Sequence, residues 1–129
     1  MKRPYQFIGF VQKGDVYCVR FQRPNVADNQ LDDLSAELGR LLDEENCRWM
    51  ILHLGPEEPE CLLSVLLAKL INLQRRLEAL GGELSLAEVS DDTRNIFRAA
   101  GIEKLFNFYT DEATALNAIT AREQTKIHF

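Results

Sequence analysis

The sequence is poor in the features that mark a metalloprotein, a disulfide scaffold or a membrane protein. Only three cysteines occur among 129 residues, Cys18, Cys47 and Cys61, and none forms a CxxC pair with another. An odd, sparse set excludes a disulfide framework and fits a reduced compartment, so a cytoplasmic protein is expected. The two histidines, His53 and His128, stand far apart with no ligand cluster near either. Zinc spacings, glycine-rich phosphate cradles and nucleophile elbows are all missing. No metal, no cofactor and no enzymatic activity are therefore expected. No apolar run approaches the ~18 residues of a membrane span, and the opening MKRPYQFIGF lacks the long apolar centre of a secretory leader. Basic residues number 15 against 20 acidic ones, a net charge of −5, which argues against a nucleic-acid partner.

What is present is ordinary in proportion: 46% hydrophobic and 27% charged residues, as in soluble globular domains. At this length a single domain buries roughly two-thirds of its unfolded surface and needs no cross-link. The expected domain spans residues 1–121. The tail 122–129, REQTKIHF, shows no partner pattern and is expected to fray.

The alternation of patterns sets the fold class. YQFIGFV (5–11) and VYCVRF (16–21) are β-rich runs joined by Gln-Lys-Gly-Asp, a hairpin signal. Asp28 is placed to cap a helix over about 29–44, in which Leu31, Leu34, Leu38, Leu41 and Leu42 recur at three and four. WMILHL (49–54) is apolar on both faces except at His53, as a strand covered on each side should be. A leucine-striped helix over about 60–80 ends at Gly81-Gly82. ELSLAEV (83–89) is a further strand, and Ser90 caps a helix to about 100, closed by Gly101. LFNFY (105–109) is a short strand, and Thr110 or Asp111 caps a last helix to about Ala121. The order ββαβαβαβα predicts one α/β domain with a mixed, mostly parallel sheet, WMILHL at its centre and the helices 29–44 and 60–80 together on one face.

Several of these segments resemble the STAS domain, shared by anti-sigma factor antagonists and the cytoplasmic tails of sulphate transporters. The resemblance runs from GDVYCVRF through WMILHLG to LQRRLEALGGELSLAEVSDDTRNIFRAAGIEKLFNFYTDEATAL. In the last piece a Gly-Gly helix end, a strand, a Ser-capped helix, Gly-Ile-x-x-Leu-Phe and a strand follow in order. The resemblance implies a STAS-like fold and a small cytoplasmic regulatory domain that binds another protein, an anti-sigma factor or a kinase.

It also implies a site. Antagonists of this family carry Asp-Ser-Ser-Gly or a similar motif at the start of the second helix, with the first serine phosphorylated by the partner kinase. Alignment puts Ser64 at that serine, and Leu63, Val65 and Leu66 at the Asp, second Ser and Gly. Only the acceptor matches, and the preceding GPEEPEC is about two residues longer than the family's usual connection. Ser64 is thus the candidate phosphoacceptor, and Glu57, Glu58, Glu60, Cys61, Val65 and Lys69 are the candidate partner-binding loop and helix.

A helix N-terminus favours a phosphate, but a helix that begins near Pro59 leaves Ser64 beyond the free amides, and three glutamates oppose a dianion. The expected protein is an antagonist-like binding domain without a working serine switch. The alternatives are an antagonist switched at Ser64, or a nucleotide- or anion-binding module at the loop 55–64. Cys61 is read as an inert buried thiol, His53 as a hydrogen-bonded strand residue standing where the family often has Asp, and Lys69, Arg75 and Arg76 as a solvated helix face.

Overall fold

The computed structural model describes residues 4–22, 28–55 and 64–127. Strand β1 (Ile8–Lys13) turns into β2 (Val16–Phe21) through Gly14, whose φ of 62° is a left-handed conformation that glycine adopts without steric penalty. Then follow α1 (Leu31–Asp43), β3 (Trp49–His53), α2 (described over Ser64–Ala79), β4 (Glu83–Ala87), α3 (Asp91–Ala99), β5 (Asn107–Tyr109) and α4 (Glu112–Ile127). The sheet order is β1-β2-β3-β4-β5. The hairpin is antiparallel, and the later pairings are parallel because a helix lies between their strands. This is the expected ββαβαβαβα order.

β3 is buried along its whole length, at the centre of the sheet. Its side chains alternate between two clusters. Met50 and Leu52 join Leu34, Leu38 and Leu41 of α1, Leu66, Leu70 and Leu77 of α2 and Phe97 of α3. Trp49 and Ile51 join Val16, Cys18, Ala87 and, from α4, Ala115 and Ile119. So α1, α2 and α3 cover one face and α4 the other. Ion pairs at the rim tie α2 to α1: Lys69 to Asp32 at 2.6 Å and Arg76 to Asp43 at 2.9 Å. These two cations of the expected solvated face therefore hold the helix pair together. No described helix is long and apolar enough to cross a membrane.

Two buried polar side chains complete the backbone bonding of the sheet. Glu37, on the inner face of α1, accepts from the amides of Gln6 and Phe7 at 2.8 and 2.9 Å and fastens the chain ahead of β1. β5 pairs with β4 only over Ser85–Ala87, leaving Leu84 without a strand neighbour on that side. Gln74 of α2 supplies what a longer β5 would: it accepts from the Leu84 amide at 2.7 Å and donates to the Leu84 and Leu105 carbonyls at 3.1 and 2.8 Å.

Element ends follow local chemistry. Ser90 caps α3 by accepting from the Thr93 amide at 3.1 Å, and Asp111 caps α4 by accepting from the Thr114 amide at 2.8 Å. Gly101, at φ 75°, ends α3. Other boundaries differ from the sequence-based expectation. A 3-10 turn over Asp28–Gln30 precedes α1, so the cap position falls on Gln30 and not on Asp28. The strand expected over 83–89 stops at Ala87, because Glu88 turns the backbone at φ 58°. Glu103–Leu105 form a 3-10 turn, which delays β5 to Asn107. Finally, α4 continues to Ile127, past the expected end at Ala121.

Candidate functional site

The carboxyl ends of parallel strands are where α/β sheets place working groups, since the loops leaving them converge there. Here β3 ends at His53 and β4 at Ala87. Leu54 extends the ladder by donating to the Ala87 carbonyl at 3.1 Å. Gly55 lies directly against the Glu88 backbone, and any side chain at Gly55 would overlap the Glu88 carbonyl oxygen. The described residues resume at Ser64, in α2.

His53, the last residue of β3, lies on the α4 side of the sheet and is only 2% exposed. Its Nδ1 is bonded to Glu88 Oε1, which also accepts from Arg20 of β2 at 3.3 Å. Its Nε2 is bonded to Glu112 Oε1 at 2.7 Å, and the other oxygen of Glu112 is bonded to Lys13 of β1. One buried ring thus links four elements through two carboxylates and two cations. The hydrogen bond from Lys13, with further help from His53, draws the Glu112 carboxyl down to about 2. A cavity of about 530 Å³, lined in part by Val11, Lys13, Cys18, Arg20 and Glu112, opens beside the cluster and brings solvent to its outer members.

Of the sequence-predicted site residues, Ser64, Val65 and Lys69 are among the described residues, all three in α2. Glu57, Glu58, Glu60 and Cys61 lie outside the described residues, as does the helix start expected at Pro59. Ser64 is the first described residue of α2. Val65 follows it with 54% of its surface exposed, large for an apolar side chain on a helix that otherwise buries its leucines. Lys69, one turn on, is bound to Asp32. The other two cysteines are buried, and burial pushes the Cys18 thiol up to about 11 and the Cys47 thiol up to about 12, so both stay protonated and unreactive at neutral pH. Among the described residues no group of His, Cys, Asp and Glu is arranged to hold a metal ion.

Sequence reasoning named His53 but not Glu88 and Glu112, which are 35 and 59 residues away from it in the chain. Glu88 reads as a residue inside a strand and Glu112 as an ordinary acidic helix start. The usable signal was His53 itself, because a polar ring in an apolar central strand must find partners.

No family model and no curated protein matches the chain. Solved structures do. An anti-sigma-factor antagonist (STAS) domain protein from Planctomyces limnophilus matches with a TM-score of 0.75 at 14% identity, over 88% of this chain and 97% of that one. An anti-sigma factor antagonist from Mycobacterium paratuberculosis matches with a TM-score of 0.70 at 20% identity, over 93% and 99%. The fold is that of a STAS domain. A third STAS-like match, the phosphorylated form of the Bacillus cell fate determinant SpoIIAA, has a TM-score of 0.64 at 16% identity over 87% and 98%. Agreement at such low identity, over nearly the full length of each chain, reflects the STAS element order and sheet topology and not shared side chains.

Proposed function

We propose that this STAS-fold protein is a cytoplasmic regulatory domain that works by binding another protein, in the manner of an anti-sigma factor antagonist, and has no chemistry of its own. The observation that carries the reading is the STAS fold over nearly the whole chain, shared with proteins named as anti-sigma factor antagonists. The docking surface is the connection 55–63 with the first described turn of α2, including Glu57, Glu58, Glu60, Cys61, Val65 and Lys69. Exposed Val65 supports this placement, since a large apolar side chain in water gains from a partner. The partner is an anti-sigma factor or a kinase of that class.

In this reading Ser64 is not a switch. Leu63, Val65 and Leu66 replace the residues that flank the acceptor in the resembling antagonists, and the nearby glutamates repel a phosphate. A second reading, an antagonist switched at Ser64, draws support from the phosphorylated SpoIIAA among the matching structures. A nucleotide or anion site at 55–64 is disfavoured by the same glutamates.

Affinity purification from the native cell, followed by titration of the purified partner, tests the proposal. Val65→Asp should weaken the complex roughly tenfold or more, about 1.4 kcal/mol, at an unchanged melting temperature. Ser64→Ala should change the affinity little. Stoichiometric phosphate on Ser64 in protein from cells, with Ser64→Asp abolishing the complex in a folded domain, would establish the switch instead.

A further inference from the structure

Strand β1 forms one edge of the sheet: it pairs with β2, and among the described residues no strand lies on its other side. Backbone bonding in an antiparallel pair alternates along the strand, so every second residue turns its N–H and C=O away from the neighbour. The Gln22 amide donates to the Phe7 carbonyl at 2.8 Å, which sets the phase: Gly9, Val11 and Lys13 bond toward β2, and Phe10 and Gln12 present their amides and carbonyls outward. Exposure rises along the same stretch, from a fully buried Ile8 to exposed Val11, Gln12 and Lys13. Val11 lies opposite Cys18, on the side of the sheet that carries α4. That helix packs over β3, β4 and β5 and leaves Val11 60% exposed, the most of any large apolar side chain among the described residues. An edge with open backbone groups and an apolar side chain in water is a template for another strand.

We propose that β1 is a dimerisation edge and that its occupant is β1 of a second copy of this chain, added antiparallel about a two-fold axis at Val11. The inference goes beyond the partner-binding reading above and does not depend on it. The strand is self-complementary in this register. Phe10 faces the partner's Gln12 and Gln12 the partner's Phe10, so the outward N–H and C=O groups of both residues find partners. Val11 meets the partner's Val11 at a non-hydrogen-bonded position, where Cα atoms come within about 4.5 Å and side chains approach most closely. The two most exposed apolar groups then cover one another. Lys13 is the only charged residue of β1 and falls opposite the partner's Gly9, so no like charges face each other across the strands. Moving the axis to Phe10 would call on Ile8, which is fully buried, and moving it to Gln12 would set Val11 against the partner's Lys13. A strand from an unrelated protein would need an apolar residue opposite Val11 and a small one opposite Lys13, both of which this chain supplies itself. The pairing is also closed: it uses the long edge of each copy, and β5 at the opposite edge has three residues, too short to continue the sheet.

Sedimentation of the purified full chain between about 1 μM and 1 mM tests this, and a monomer–dimer equilibrium should appear within that range. Under dimeric conditions the Phe10 and Gln12 amides should exchange more slowly with solvent than in dilute protein, while the Val11 amide, which faces β2, should not change. Gln12→Pro removes an N–H that points away from β2, the position at which an edge strand tolerates proline. The monomer should therefore stay folded while the dissociation constant rises about tenfold or more. Val11→Lys sets two cations opposite each other on the axis and should weaken the dimer at least as much. A chain that stays monomeric to about 1 mM overturns the proposal, whether or not another protein's strand takes the edge. A dimer whose Phe10 and Gln12 amides exchange as in the monomer, or one that survives both substitutions, overturns it too. If neither variant folds, the concentration dependence of the wild-type amides decides alone. Val65→Asp should leave the dimer unchanged, so this proposal and the partner-binding reading fail separately.

Discussion

Gln74→Met isolates the contribution of one buried amide to the sheet. The substitution keeps an unbranched side chain of similar length inside α2 and removes three hydrogen bonds at once. Two of them serve the amide and carbonyl of Leu84, a fully buried residue on the side of β4 that β5 does not reach. Each of these backbone groups, left without a partner, costs about 1–3 kcal/mol. The third serves the carbonyl of Leu105, an exposed residue whose carbonyl can turn to water and is left out of the sum. The gain from a more apolar side chain offsets about 1 kcal/mol. The net loss is then about 1–5 kcal/mol, centred near 3. With a urea slope of roughly 1.5 kcal/mol/M for a chain of this size, the unfolding midpoint should fall by about 2 M at unchanged slope. Exposed Arg75 is the control: Arg75→Met should stay within about 0.5 kcal/mol of wild type. A midpoint for Gln74→Met within roughly 0.3 M of wild type would refute the reasoning, since it would mean that Leu84 finds its partners elsewhere.

Leu70 is fully buried in the cluster shared by α1, α2 and the sheet, so Leu70→Ala should destabilise by about 2–5 kcal/mol in the same denaturation assay. Gly55→Ala places a methyl group on the Glu88 carbonyl oxygen and should lower stability by about 1–3 kcal/mol, seen as a reduced melting temperature with near-native far-UV circular dichroism. Glu112 has a carboxyl drawn from 4.5 down to about 2 by Lys13 and His53. A depressed folded-state value stabilises at pH above the unfolded value, so this contribution is complete above about 4.5 and lost as pH falls toward about 2. Urea midpoints measured across that window should fall more steeply for wild type than for Glu112→Gln, and parallel curves would show that the carboxylate is not held by its neighbours.

The architecture is legible from local patterns in the chain. The short apolar run WMILHL, broken only by His53, fits a strand covered on both faces, leucines at three- and four-residue spacing mark the buried side of a helix, and Ser90, Asp111 and the glycines mark turns by backbone chemistry. These are local constraints, and they fix element type and order because each is met within a few residues of chain. The resemblance to STAS domains rested on that same order, and so the fold was legible even though few side chains are shared. Tertiary structure decided what local patterns cannot carry. It put Glu88 and Glu112 on either side of His53 across 35 and 59 residues of chain. It brought Glu37 to the amides ahead of β1 and stopped β4 at Ala87 through the left-handed turn of Glu88. It also used Gln74 to finish a sheet that β5 leaves short. Each of these is a polar group whose desolvation has to be offset by a partner, and parallel strands joined through helices bring such partners together from distant parts of the chain.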